Sequence, residues 1–297
     1  MKKSMQIIAI LLIFGLLIYC NKKVEQSKET ILKGKTTILV DETLTPIIED
    51  QIQVFESVYD AKLTLQPKSE IEVLQDLLKG KVDIAVMSRK LTLQDSMVFA
   101  NKRIFPKQTP FATDAIALIA NKKNNDTLID LQSVINFMKG QSSYKIKGLV
   151  FDNPNSSTIR LLNEMAGLKT NPEKGIFSFK TNEEVIKYVS ENNGMIGVVG
   201  VNWLMQPTQN VEKFKENITI LSVKNQKENA YFYPSQNNLA EGKYPLARDL
   251  YIINCQSFAG LGMGFGSFIT GERGQRIILQ SGLLPIRVPG RKILIKN

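Results

Sequence analysis

The segment VFDNPNSSTIR, from Val150 to Arg160, places three consecutive hydroxyls, Ser156, Ser157 and Thr158, between an apolar run and the helix-like LLNEMAG. A hydroxyl cluster at such a junction does one of two things. It caps the helix by accepting from a free backbone N–H, or it joins those N–H groups and the positive end of the helix dipole in holding an anion. Asp152 puts a carboxylate beside the same spot, while Asn153 and Asn155 read as turn formers whose side chains bond nearby backbone.

Nucleophilic catalysis by these serines needs a base. The chain contains no histidine, which removes Ser-His-Asp and Cys-His systems and imidazole acid–base chemistry, and no lysine stands close enough in sequence to substitute. Cys20 and Cys255 are far apart and form no CxxC, so zinc and thioredoxin-like readings fall away. Cys255, inside LYIINCQSF, is expected to be a buried strand thiol. AGLGMGFG (259–266) lacks the GxxxxGK[ST] spacing and is expected to be a glycine-rich turn packed closely ahead of the last helix. Trp203, Tyr231 and Tyr233 read as packing residues. The chemistry left is binding, with no enzyme activity and no cofactor.

The scaffold around those residues alternates strands and helices. TTILV (36–40) precedes an apolar stripe at helical spacing, Leu44, Ile47, Ile48, Ile52, Phe55 and Val58. KLTLQP then reads as a strand, IEVLQDLLKG as a helix and VDIAVMS as a strand; this βαβ order predicts a mainly parallel sheet covered by helices, with ligands at the carboxyl ends of strands. A second set follows: DAIALIANKK (114–123), helix LIDLQSVINFMKG, strand KIKGLVF, helix STIRLLNEMAG, helix NEEVIKYVSENNG, strand MIGVVG and strand RDLYIINC. At 297 residues and 43% hydrophobic, the chain has room for two lobes of about 100–150 residues. The net charge of +10 is spread over single and paired lysines without a basic run, which reads as solvated surface and not as a nucleic-acid interface.

At the N-terminus, Met1-Lys-Lys leads into the apolar run Ile7–Tyr19. The run is too short to span a bilayer but suits a signal peptide over 1–19. Leu17-Ile18-Tyr19-Cys20 resembles the lipobox of bacterial lipoproteins, which implies lipidation of Cys20 and a charged tether over 20–35; an uncleaved N-terminal anchor is the alternative. Both readings place the rest of the chain outside the cytoplasm, in the periplasm and anchored to the cell envelope.

Six segments in order, GKVDIAVMSRKLT (80–92), PFATDAIALIAN (110–121), FDNPNSSTIR (151–160), NNGMIGVVG (192–200), YPLARDLYI (244–252) and FGSFITGERGQRIILQSGLLPI (265–286), resemble the periplasmic phosphate-binding proteins of bacterial ABC importers. The resemblance implies an α/β, two-lobed periplasmic binding protein-like fold. Each lobe is then a mainly parallel sheet flanked by helices, lobe 1 being 36–112 plus 246–297 and lobe 2 being 113–245, with crossings near 110–116 and 243–250. It also implies capture of inorganic phosphate or a related oxyanion between the lobes, delivery to a membrane permease or other envelope complex, and a monomeric soluble part. Carried over by position, the ligand set is Thr43, Ser69, Ser88, Arg89, Asp152, Ser156, Ser157 and Thr158. Arg89 is expected to supply the cation from lobe 1, with Asp152 accepting a proton from the ligand across the cleft. Asp41, Glu42 and Glu70 stand where the family has small residues. If they face the cleft, a second reading applies: a binding-fold lipoprotein that has lost phosphate and acts as an accessory component of an envelope complex.

Overall fold

The computed structural model describes residues 29–142 and 145–288; the signal-peptide segment and Cys20 lie outside them. In the first half, β1 (Gly34–Asp41) runs through a short 3-10 turn, Glu42–Leu44, into α1 (Thr45–Val58); the apolar stripe from Leu44 to Phe55 is buried, whereas Val58 at its end is exposed. Then come β2 (Ala61–Lys68), α2 (Glu70–Lys79), β3 (Ile84–Met87) and α3 (Leu93–Asn101). Gly80 ends α2 at φ 74°, a left-handed cap that costs glycine little. Side chains of β1 and β3 alternate between two apolar layers. Ile38, Val40, Ile84 and Val86 face one cluster, and Leu39, Ala85 and Met87 face the other. Helices cover both faces, so these strands read as unbroken apolar runs.

The long β4 (Lys107–Asn121) enters the second half, which contains β5 (Leu128–Asp130), α4 (Leu131–Met138), β6 (Gly148–Phe151), α5 (Ser157–Ala166), β7 (Ile176–Ser178), α6 (Asn182–Glu191) and β8 (Met195–Gly200). After α7 (Asn202–Met205), α8 (Gln209–Lys215), β9 (Ile218–Ile220), β10 (Ser222–Asn225), β11 (Ala230–Phe232) and α9 (Gln236–Ala240), the chain returns along β12 (Ala247–Asn254) to α10 (Leu261–Thr270), α11 (Glu272–Gln280) and β13 (Leu284–Pro285).

Among the described residues one sheet has the strand order β2-β1-β3-β12-β4-β8-β6-β7, with β9 and β13 also on β4. Pairing is parallel within β2-β1-β3 and within β8-β6-β7, and antiparallel where β12 and β4 join them. Lys107–Ala115 of β4 pairs with β12, and Ile116–Ala120 pairs with β8, so this strand links the two halves. The buried Tyr244 hydroxyl donates to the Ile116 carbonyl at 2.7 Å and fixes that junction.

Two sequence expectations fail locally. The first three residues of LIDLQSVINFMKG form β5, because β10 pairs with them in parallel and tertiary hydrogen bonding overrides local periodicity. AGLGMGFG is the start of helix α10 and not a turn. Its glycines do serve close packing: a Cβ on Gly264 would lie 1.6 Å from the Ile31 carbonyl oxygen, where the incoming chain crosses the helix. Cys255 lies just past β12, buried, with its thiol pushed up to about 12 by burial and then by Asp83.

Candidate functional site

The carboxyl ends of β1, β3 and β6 meet between the halves, as expected for ligand sites in α/β folds. Each delivers polar residues that are almost wholly buried: Asp41, Glu42 and Thr43 after β1, Ser88 after β3, and Asp152 with Ser156, Ser157 and Thr158 after β6. Arg248 from β12 and Asp114 from β4 complete the group. Their side chains are 4% and 0% exposed, and two guanidinium nitrogens donate to Asp114 Oδ2 at 3.1 and 2.8 Å. The third guanidinium contact goes to Ser157 Oγ at 2.6 Å. A buried arginine is tolerated because every charge has a partner.

At the start of α5 the hydroxyls do not cap. Ser156 occupies the N-cap position but accepts from no helix N–H; its Oγ lies 2.8 Å from Thr158 Oγ1. Thr158 Oγ1 donates to Asp152 Oδ1 at 2.8 Å, and Thr43 Oγ1, from the other half, donates to Asp152 Oδ2 at 3.3 Å. The Asp152 carboxylate thus sits among hydroxyls from both halves, at a helix N-terminus whose first amides have no side-chain cap. Burial pushes its pKa up, and the Thr158 hydroxyl holds it back.

The other acids divide between two surroundings. Asp41 faces the cradle: its Oδ1 accepts from Thr43 Oγ1 at 3.2 Å, and its buried Oδ2 has no hydrogen-bond partner. Burial, then the charges of Glu70 and Asp152, pushes its pKa up to about 7 against the pull of Arg248. Glu42 turns aside to the first turn of α6, accepting from the Asn182 backbone N–H at 3.2 Å and from the Asn182 side-chain amide. Burial and the Asp152 charge raise its pKa to about 9.

A unit charge pair about 4 Å apart at an effective dielectric of about 20 is worth roughly 4 kcal/mol. A helix N-terminus gives an anion only about 0.3–2 kcal/mol. Ionised Asp41 and Asp152 therefore outweigh the dipole, and Arg248, the buried cation at this spot, is already matched by Asp114. The cradle favours an anion only when its acids are protonated or displaced.

Three predicted ligands are committed to other contacts. Ser69 is the N-cap of α2 in a capping box: its hydroxyl accepts from the Glu72 N–H at 3.4 Å, and the Glu72 carboxylate accepts from the Ser69 N–H at 3.1 Å. Arg89 does not reach Asp152. Its guanidinium donates to Asp95 at 3.2 Å and to the Lys90 carbonyl at 3.0 Å and stands 3.8 Å from Glu70. The cross-cleft ion pair is made instead by Arg160 of α5, which donates to Glu70 and, at 3.2 Å, to Ser88 Oγ. Ser88 in turn donates to Glu70 at 3.0 Å, so it is committed to this bridge. Thr43, Asp152, Ser156, Ser157 and Thr158 do come together.

Arg248, Asp114 and Arg160 were not singled out as site residues from sequence. The signal for the first two is an acid, Asp114, opening the apolar DAIALIAN and a base, Arg248, followed by Asp249, at the start of ARDLYIIN, since fully buried charges occur almost only in pairs. Trp203 does pack, and its indole N–H also donates to the Thr43 carbonyl at 3.0 Å, which fixes the turn that presents Thr43.

A phosphate-binding protein, PstS, of Pseudomonas aeruginosa is 22% identical over 289 residues, covering 88% of this chain and 86% of the relative. Two solved structures share the fold. A substrate-binding protein with bound phosphate from Clostridium perfringens matches with a TM-score of 0.70 at 18% identity, over 86% of this chain and all of the other. An ABC-type phosphate transport receptor from Vibrio cholerae matches at 0.63 and 17% identity, over 85% of this chain and all of the other. The model of the PBP superfamily domain matches residues 25–273, and with the two-lobed α/β architecture this places the chain in the PBP superfamily.

Proposed function

We propose that this chain is an extracytoplasmic binding protein that captures phosphate or a similar oxyanion between its lobes, 36–112 plus 246–297 and 113–245, and delivers it to a membrane permease. It makes and breaks no bond. Lipidation of Cys20 anchors it to the envelope through the tether expected over 20–35, of which Glu29, Ile31 and Gly34 belong to the folded body: Glu29 accepts from Gln256 and Leu261, Ile31 lies against Gly264, and β1 starts at Gly34. The observation that carries this reading is the start of α5, where three buried hydroxyls and the first helix amides converge without capping one another, next to Arg248.

In this reading Thr43, Ser156, Ser157 and Thr158 donate to the ligand oxygens, and Arg248 supplies positive charge through Ser157 and the local field. Thr43 comes from one lobe and the other three from the second, so ligand binding and lobe closure are one event. Asp152 stands among these donors, its carboxylate accepting from Thr43 and Thr158. Ser88 and Arg160 tie the lobe edges through Glu70. The relatives named above bind phosphate by their names, which supports the ligand class.

One observation favours the second reading, an accessory envelope protein without phosphate: the place between Thr43 and Thr158 is held by the chain's own carboxylate. Calorimetry of phosphate into the detergent-solubilised full chain separates the two. Capture predicts micromolar or tighter binding that Thr158→Val weakens at least tenfold and Arg89→Ala leaves unchanged. Absence of heat together with an unchanged melting temperature in millimolar phosphate would rule capture out.

A further inference from the structure

We infer that the Asp152 carboxylate is a built-in competitor for the oxyanion: it occupies the position between Thr43 and Thr158 that a bound anion takes, and an anion enters by displacing it. This rests on the cradle assignment proposed above and adds to it the residue that sets affinity.

The geometry is that of a carboxylate bound as a ligand. Asp152 is 0% exposed, one oxygen accepts from Thr158 at 2.8 Å and the other from Thr43 at 3.3 Å, so it bonds both lobes at once. Thr158 belongs to α5, and Thr43 to the turn after β1. The side chain therefore closes the cleft with the donors a tetrahedral oxyanion would use. A hydroxyl has one proton to donate: Thr158 gives its proton to Asp152, and that of Thr43 is shared between Asp152 at 3.3 Å and Asp41 at 3.2 Å, so neither has a proton to spare for an anion while the carboxylates stay in place.

Arg248 does not relieve the conflict. Its guanidinium is divided between Asp114 and Ser157 and makes no hydrogen bond to Asp152. The charged groups around the cradle are Asp41 of β1, which faces it, Glu42 of the 3-10 turn, which turns to Asn182 but feels the Asp152 charge, Glu70 of α2, Asp114 of β4 and Arg248 of β12, so four further carboxylates stand near one buried cation. Arg160 and Arg89 lie at the Glu70 edge. Lowering the pH through about 7 neutralises Asp41, and the raised pKa of Asp152 acts in the same direction, so oxyanion affinity rises.

The test is titration calorimetry of inorganic phosphate and of sulfate into the full chain, comparing native protein with Asp152→Asn and Asp152→Ala, each checked for folding by circular dichroism. The expected result is at least tenfold tighter binding by Asp152→Ala than by native protein, with Asp152→Asn between them or equal to it. Native affinity is expected to rise at least tenfold from pH 8 to pH 5.5. Native binding that is equal or stronger than that of both variants makes Asp152 a ligand and overturns the inference while capture stands. No native binding with binding by a variant upholds the inference and removes native phosphate capture. No binding by any folded form overturns both. Should Asp152→Ala not fold, the near-isosteric Asp152→Asn carries the same decision: affinity for phosphate and sulfate equal to or below that of native protein contradicts the competitor.

Discussion

Two helices begin at the cleft with a serine in the N-cap position, α2 with Ser69 and α5 with Ser156, and their first turns differ in kind. At α2 a capping box closes the helix end, the Ser69 hydroxyl accepting from the Glu72 N–H while Glu72 accepts in return. At α5 the Ser156 hydroxyl ignores the helix amides and joins a chain of hydroxyls that leads through Thr158 to Asp152. A helix end that satisfies itself is structural. One that leaves its amides uncapped among buried donors holds free energy in reserve for a ligand, here contested by an internal carboxylate.

The contrast can be broken most severely at Arg248. Replacing it by Met strands the buried Asp114 carboxylate, and loss of one partner of such a pair costs about 3–5 kcal/mol. Chemical denaturation should show that loss, and Asp114→Asn in the same chain should recover much of it.

Proton uptake by the acids around α5 comes next. Asp41 and Glu42 have folded pKa values of about 7 and about 9, above their ordinary carboxylate values. The native state therefore binds more protons than the unfolded chain, between about pH 4 and pH 7 for Asp41 and up to about pH 9 for Glu42, and stability falls as pH rises through those windows. The slope is at most about 1.4 kcal/mol per pH unit for each group. Thermal melts should give a higher midpoint at pH 5.5 than at pH 8.5, with Asp41→Asn flattening the difference; a midpoint that rises with pH would place the ionised acids in a more favourable setting than the cradle provides.

The smallest effect separates the serines themselves. Ser69→Ala should cost about 1 kcal/mol of stability, the usual worth of an N-cap, with no change in anion affinity. Ser156→Ala should leave stability nearly unchanged and weaken anion binding. Denaturation and calorimetry on the two variants together test the comparison, and equal stability losses would show that both serines are caps.

The same contrast explains what could be read from sequence. Ser69-Glu70-Ile71-Glu72 is a capping-box pattern, so the structural role of Ser69 was written in its own four residues, although resemblance to a binding loop assigned it to the ligand. The apolar stripe from Leu44 to Val58 and the glycines after α2 and α5 marked helices whose burial and ends depend on nearby residues. What sequence hid depends on long-range partners. Leu128–Asp130 is a strand only because β10 lies beside it, and α10 tolerates its glycines because Ile31 crosses it. Arg89 and Arg160 are equally plausible cations in one dimension; in the fold Arg160 hydrogen-bonds Glu70, while Arg89 stands 3.8 Å from it and donates to Asp95. Whether Glu42 pointed into the cradle was set by Asn182, 140 residues away.

The most direct test of the α5 cradle is a crystal structure of the full chain grown with phosphate at pH 5.5. The account predicts tetrahedral density at the α5 N-terminus within hydrogen-bond distance of Thr43 and Thr158, with the Asp152 carboxylate moved off both hydroxyls. Phosphate bound at the α2 end around Ser69, or a cleft still closed on Asp152 in saturating phosphate, would contradict it.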